Sequence, residues 1–323
     1  MAQVQGRKIT ILGAGGSLGS PTLRALLTKD AHTITVVQRP ESSSEFPSGV
    51  TVKTGNLEDE TFLGDIFKGQ DVVVLMPPLS HIVTLQEPAV RAAAKAGVPY
   101  LLPAEYGPDP FATKLIEENG LLQAKKKIRD LIDELGVSSW ISVTVGVWLD
   151  VNLSNGLWGI DAKGRKATLY PGAGGRVTTS SITHTGEAIA AVLSLPETDL
   201  ASYKKRAVYA PSFHTTHREM LDAVQRVSKT TDADWEITSR DVGDSLKEFN
   251  ERIGQGDIMA SYQKFILTHL LDGYGGDIEH KVDTKLLQKL EQPIFQAGHI
   301  TIPTSQQCLS RGSKLSEIRM CIG

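Results

Sequence analysis

The chain has 323 residues, with 34 Lys and Arg against 37 Asp and Glu and a formal charge of −3. At about 150 residues per domain this length suits two domains, or one large α/β domain with an appendage. A composition 40% apolar and 22% charged excludes disorder as the main state, and balanced charge without a dense Lys/Arg cluster excludes the footprint of a nucleic-acid or membrane-surface binder.

Two cysteines, Cys308 and Cys321, supply neither a disulfide framework nor a multi-cysteine metal site, and suit a reducing, cytoplasmic setting. The polar Met1–Lys8 segment runs straight into Ile9-Thr10-Ile11-Leu12, so no secretory leader is expected. No window nears the ~18 consecutive apolar residues of a membrane span.

Strand and helix signals alternate through the first half. Lys8–Leu12 reads as a strand, and Leu18, Leu23, Leu26 and Leu27 give the next helix its apolar face. Strands are expected at Thr33–Gln38, Val50–Lys53 and Asp71–Met76, a helix over Val83–Ala96, and a strand at Val98–Leu102. A helix over Leu121–Leu135 ends at Gly136, a natural C′ glycine, before a strand at Ser139–Val145. Short, continuously apolar strands separated by helices imply a doubly wound parallel sheet covered on both faces.

After about Asp150 the rhythm changes. Asn152–Gly164 is rich in Gly, Asn and Trp, and Tyr170–Gly175 reads as a turn. Thr185–Leu195 and Ala207–Ala210 read as a helix and strand returning to the sheet, and Thr216-x-x-Glu219 as a capping box opening a helix to Ser228. Asp241–Gly323 reads as short helices and loops. The expected fold is α/β: a doubly wound parallel Rossmann sheet over residues 1–155 with returning elements near 176–211, and a smaller C-terminal α+β substrate lobe over 156–323.

Between the first strand and helix lies Gly13-Ala14-Gly15-Gly16-Ser17-Leu18-Gly19. A dinucleotide pyrophosphate needs a tight turn there, close backbone approach and free N–H groups at a helix N-terminus. Gly13, Gly16 and Gly19 meet this as G-x-x-G-x-x-G, with Gly15, Ser17 and Leu18 completing the loop. The older G-x-G-x-x-G spacing fails at Leu18, and no Gly-Lys-Ser/Thr follows for a Walker loop. Where an NAD site would carry Asp or Glu after the second strand, this chain has Arg39, whose guanidinium suits a 2′-phosphate and hence NADP(H).

Lys125-Lys126-Lys127 splits on a helical wheel. At ~100° per residue, Lys125 falls about 20° from Ile132, on the side of Leu121, Ile128, Leu131 and Leu135, while Lys126 and Lys127 flank it. An ammonium beside an apolar stripe either snorkels or is used; partial desolvation would lower its pKa.

The glycine loop, Arg39, Leu102-Pro103-Ala104-Glu105-Tyr106-Gly107 and Lys125-x-x-Ile128-Arg129 occur in this order in a known group. Over residues 7–225 the chain resembles the NmrA-like and isoflavone-reductase-like atypical short-chain dehydrogenases/reductases, particularly fungal members. The resemblance implies an NADP-binding Rossmann domain, a substrate lobe and a cleft between them. It makes Lys125 the catalytic, nicotinamide-contacting residue. Regulatory members bind dinucleotide without turnover and commonly lack that lysine, so Lys125 favours an enzyme. The group's Pro-Ser-Glu-Phe-Gly is Pro103-Ala104-Glu105-Tyr106-Gly107 here, which removes a hydroxyl near the cofactor. Val147-Trp148-Leu149-Asp150 replaces an aromatic pair with glycine, so pocket shape does not transfer. No tyrosine has a lysine four residues later, so the ordinary Tyr-x-x-x-Lys dyad is absent.

Ligands of doubly wound sheets bind outside the strand C-termini, which places Pro77, Pro78 and His81 near the nicotinamide ribose. Tyr106, Trp148 and Asn152 are further pocket candidates, with Trp158 and Tyr170 able to line it or to pack the lobe. His214 and His217 straddle a helix start without a third ligand, so no metal is expected, and His184 reads as a cap or packing residue. The expected function is NADPH-dependent reduction of a small, aromatic or polyketide-like secondary metabolite by a monomer or homodimer. A dinucleotide-sensing regulator without turnover, and a redox-neutral isomerase or dehydratase, are the alternatives.

Overall fold

A computed structural model of the chain describes residues 4–288 and 290, so Cys308 and Cys321 lie outside the described residues. Strand β1 (Lys8–Leu12) leads through α1 (Gly19–Thr28) to β2 (Thr33–Gln38) and β3 (Thr51–Thr54), then α2 (Glu60–Phe67) and β4 (Val72–Leu75). Next come α3 (Gln86–Ala96), β5 (Tyr100–Leu102), a loop carrying α4 (Thr113–Glu118), α5 (Gly120–Leu135) and β6 (Ser139–Thr144). Short elements follow: β7 (Val147–Trp148), α6 (Leu149–Ser154), β8 (Ile160–Asp161), β9 (Lys166–Leu169) and β10 (Val177–Ser180). The chain then returns through α7 (Ile182–Leu193), α8 (Glu197–Ala201) and β11 (Arg206–Tyr209). It ends with β12 (Phe213–Thr215), α9 (His217–Ser228), β13 (Glu236–Ser239), α10 (Val242–Gly254), α11 (Ile258–His269) and α12 (Thr284–Leu287).

Seven strands form the central sheet in the order β11-β6-β5-β4-β1-β2-β3, every neighbour parallel. Side chains alternate between its faces. Ile9, Ile11, Val72 and Val74 pack with Leu23, Leu26 and Ile189 on one face; Val73 and Leu75 pack with Leu63, Ala93, Ile128 and Ile132 on the other. This is the expected doubly wound fold. Strand order reverses between β1 and β4, which opens a crevice at the carboxyl ends of these strands.

A separate apolar core gathers Trp158, Ile160, Met220, Leu221, Phe249, Ile266 and Leu267 beneath the sheets β12-β10-β7 and β13-β9-β8. Segment Ile182–Tyr209 rejoins the main sheet, with Ser181 capping α7 by accepting from His184 N at 3.1 Å. The Thr216/Glu219 capping box opens α9 as its spacing implies. The region from Asp241 differs from the sequence expectation: α10 and α11 have 13 and 12 residues. Asp241 and Asp257 open them by accepting first-turn N–H groups, so each helix carries a start signal that the polar composition obscured. No helix among the described residues is long and apolar enough to cross a membrane.

Candidate active site

Steric exclusion shapes the glycine loop. Gly13 has φ +91°, and a Cβ there would sit 2.2 Å from the Met76 carbonyl oxygen at the end of β4. A Cβ on Gly19 would lie 2.1 Å from Gly13 O, and one on Gly15 would lie 2.3 Å from Ser44 Oγ. Gly16 N closes the turn by donating to Gly13 O at 3.0 Å. Gly15, Gly16 and Ser17 are exposed, whereas Leu18 turns into the core. Helix α1 opens with neither a side-chain cap nor an acidic residue in its first turn; Ser20 N donates to Gly16 O at 3.0 Å and Thr22 N to Leu18 O at 3.1 Å, so the positive end of the helix, rather than a row of free N–H groups, is what it offers an anion.

Arg39 directly follows β2. Its half-exposed guanidinium holds Glu41 at 3.3 Å, a weak solvent-facing pair that a phosphate can displace. Beside it, Gln38 Oε1 is buried without a partner among the described residues, an acceptor waiting for a hydroxyl or amine. A helix start without a side-chain cap, a turn in which a Cβ on Gly13 or Gly19 would strike backbone, an arginine with an exposed guanidinium and an acceptor without a partner among the described residues together fit a phosphorylated dinucleotide. Pro77 and Pro78 follow β4 along the same edge, half-buried and exposed. His81 ends a 3-10 turn with its ring in solvent, Nδ1 3.5 Å from Thr84 Oγ1.

The second part of the site is built on α5. Lys125 is 8% exposed while Lys126 and Lys127 lie in solvent, Lys126 pairing with Asp130 at 2.7 Å. The helical wheel had separated the three lysines in this way. Among the described residues the Lys125 ammonium makes no hydrogen bond or ion pair. Burial lowers its pKa, the nearby Glu105 carboxylate opposes that shift, and the Arg129 guanidinium adds to it.

Glu105 and Arg129 form a buried ion pair, and Arg129 also donates to Pro110 O at 3.0 Å. Their loop is held on every side. Gln86 Oε1 accepts from Ala104 N at 2.8 Å, and Ser142 Oγ donates to Glu105 O at 3.2 Å. Val145 N and Gly146 N both donate to Gly107 O. Asp109, 2% exposed, accepts from Tyr209 Oη at 2.9 Å and from Lys281 Nζ at 2.5 Å. The sequence motif contained Glu105 and Arg129 but did not show that they clamp each other.

Helix α11 reaches this cluster from the lobe. Asn119, at the N-cap position of α5, donates to Thr268 Oγ1 at 3.2 Å, and Lys264 pairs with Glu118 at 2.8 Å. His269, 2% exposed, ends α11 close enough to Lys125 for the ammonium to depress its pKa. Sequence reasoning missed His269 and Gln86 altogether.

The remaining candidates scatter. Tyr106 is 6% exposed, packs in the sheet core and donates its hydroxyl to Leu102 O at 2.8 Å; burial raises its pKa. Its phenol is therefore turned inward and spent on the backbone, unlike that of a pocket-lining residue. Trp148 is half-buried, its Nε1 without a partner among the described residues, and Asn152 donates back to Trp148 O at 2.6 Å. Trp158 lies in the lobe core, and Tyr170 stacks on His217. His184 Nε2 donates to Ala210 O, 2.8 Å away, as a packed residue. No cluster able to hold a metal occurs among the described residues.

Fold and loop together define a doubly wound α/β protein with a tight glycine turn after β1 and a buried lysine on α5. A model of the NmrA-like family matches residues 5–239, and the chain belongs to that family. It is 26% identical over 276 residues to oxidoreductase aprR of Aspergillus flavus, covering 84% of this chain and 89% of that one. It is 30% identical over 136 residues to the probable pinoresinol-lariciresinol reductase 3 of Arabidopsis thaliana, covering 40% and 44%. Among solved structures, AtPrR2 with NADP+ and (+)pinoresinol superimposes with TM-score 0.71 at 20% identity, covering 89% of this chain and 96% of the other. The leucoanthocyanidin reductase–NADPH complex of Vitis vinifera gives 0.65 at 15% identity, covering 84% and 89%. These likenesses place the fold.

Proposed function

We propose that the protein is an NADPH-dependent reductase of a small, aromatic or polyketide-like secondary metabolite. The observation that carries this reading is the buried Lys125, whose ammonium makes no hydrogen bond or ion pair among the described residues. A structural lysine at 8% exposure would be expected to hold a carboxylate. Here the nearest carboxylate, Glu105, is already engaged by Arg129.

In this reading the backbone of Gly13, Gly15, Gly16, Ser17, Leu18 and Gly19 holds the pyrophosphate and Arg39 the 2′-phosphate. Pro77 and Pro78 border the nicotinamide ribose. When bound, NADPH supplies the hydride. Lys125 orients the reacting oxygen and stabilises negative charge there, then releases a proton to it; its lowered pKa eases that release. The oxidoreductase relatives support the class of reaction, and the NADP(H)-containing structures of the same fold support the cofactor.

Titration with NADPH and NADH, followed by assays with enones, aryl ketones and quinones, tests the proposal. Tight NADPH binding, turnover of at least one class, and loss of turnover but not of binding in Lys125→Met are expected. Binding without turnover of any compound would favour a dinucleotide sensor. A product of unchanged oxidation state would favour an isomerase or dehydratase.

A further inference from the structure

His269 is the buried polar group near Lys125 that the reaction scheme above leaves idle. Its Nδ1 lies 2.6 Å from Phe265 O, one helical turn back. A carbonyl only accepts, so Nδ1 carries the proton and Nε2 presents a lone pair. That Nε2 is buried and has no partner among the described residues. The ring is held in place: Phe265 tilts against it at 4.5 Å between centroids, and a Cβ on Gly276 would strike the His269 carbonyl at 2.0 Å. The neighbouring Thr268 is tied to Asn119 at the start of the lysine helix.

A buried acceptor without a partner among the described residues thus stands within electrostatic reach of the Lys125 ammonium, which makes no hydrogen bond or ion pair there. A buried lone pair left without a donor is costly, so the Nε2 site calls for a ligand O–H or N–H. A neutral imidazole is also the form required, since burial and the Lys125 charge hold the His269 pKa down at about 4.

We propose that Lys125 Nζ and His269 Nε2 bind a single hydroxyl group of the ligand, the ammonium donating to its oxygen and the imidazole accepting its proton. One hydroxyl satisfies both groups at once, because it alone among simple oxygen functions both accepts and donates. His269 is therefore a specificity residue. It favours ligands whose oxygen over Lys125 is a phenol, enol or alcohol, and disfavours the corresponding ethers. The inference rests on the proposal that Lys125 faces the substrate.

The probes are 2,4-dihydroxyacetophenone and its dimethyl ether, titrated by calorimetry into the full-length protein with and without NADP+. The dihydroxy compound should bind wild type, and His269→Phe should weaken it about 5- to 10-fold, the loss of one neutral hydrogen bond. Ether affinity and NADP+ affinity should stay within twofold. His269→Gln, which keeps an acceptor and suits a polar site should Phe fail to fold, should recover part of the loss. Long-range ¹H–¹⁵N spectra should show His269 as the Nδ1–H tautomer, with its Nε2 resonance moving on addition of the dihydroxy probe. Equal weakening of both probes, an unmoved Nε2 resonance, or no binding of the dihydroxy compound overturns the inference. Failure of NADPH binding or turnover is read separately and bears on the reductase proposal.

Discussion

Glu105 and Arg129 face each other as a buried ion pair, 3% and 7% exposed at their side chains, beside the Lys125 ammonium. Glu105 thereby does two things: it neutralises Arg129 and offsets part of the burial penalty on Lys125. Replacing it by Gln should leave Arg129 as an uncompensated charge and destabilise the fold by about 3–5 kcal/mol. Where the variant still folds, the Lys125 ammonium should lose its proton at lower pH than in wild type, because the carboxylate that raised its pKa is gone. Urea denaturation checks the first effect, and an NMR titration of ¹³C-methylated Lys125 the second. An unchanged Lys125 midpoint would separate the two groups.

Arg39 should behave oppositely. Its exposed pair with Glu41 contributes little, so Arg39→Ala should change unfolding free energy by less than about 0.5 kcal/mol. The same substitution should weaken NADPH about 10- to 100-fold and leave NADH nearly unaffected, the loss of charge-assisted bonds to a 2′-phosphate. Fluorescence titration with both nucleotides gives the comparison; parallel losses would remove Arg39 from 2′-phosphate recognition.

The glycine loop admits a sharper geometric test. In Gly19→Ala the new Cβ meets Gly13 O and Ala14 Cα at 2.1 and 2.6 Å, backbone atoms that cannot step aside alone. The turn must open, at a cost of about 1–3 kcal/mol. Gly64→Ala, on α2 with open space around the new Cβ, serves as control and should leave stability level or raise it. Thermal melts of the two variants should diverge, and only the first should lose nucleotide affinity.

His269 gives a pH dependence of definite sign. Its pKa falls from 6.5 to about 4 on folding, so between those values the unfolded chain binds a proton that the native ring refuses. The associated stability is complete above pH 6.5 and drains away as pH falls toward 4, on the order of 3 kcal/mol in all. His184 and His217 are also lowered by burial and add in the same direction. Comparing wild type with His269→Gln at pH 7.5 and 4.5 isolates the one residue: the variant should lose less on acidification.

Legibility in the sequence followed the range of the interactions. β1, the glycines and α1 are neighbours in the chain, so the cradle could be read directly. Lys125 could be placed on the apolar side because helix periodicity is local, although Leu121 proves only half-buried while Leu122 takes the packed position against α4. Third-strand boundaries moved by one residue, to Thr51–Thr54, which is the ordinary looseness of strand ends. What lay hidden depends on distant partners: Gln86 holding Ala104 N, Asp109 meeting Lys281, and His269 arriving beside Lys125 through the docking of α11. Two-residue strands such as β7 and β8 have no periodicity to detect; their pairing with β10 and β9 alone creates them. Tyr106 misled because its loop borders the site while its side chain points into the sheet.

The bond from Asn119 to Thr268 and the pair between Lys264 and Glu118 join the end of α4 and the start of the lysine helix to α11. Lys264 is only 9% exposed, so swinging the two bodies apart would break both links together. The seam therefore acts as a fixed jamb rather than a hinge. A substitution that loosens this seam, such as Lys264→Ala, would therefore disturb the position of His269 relative to α5 without touching either residue.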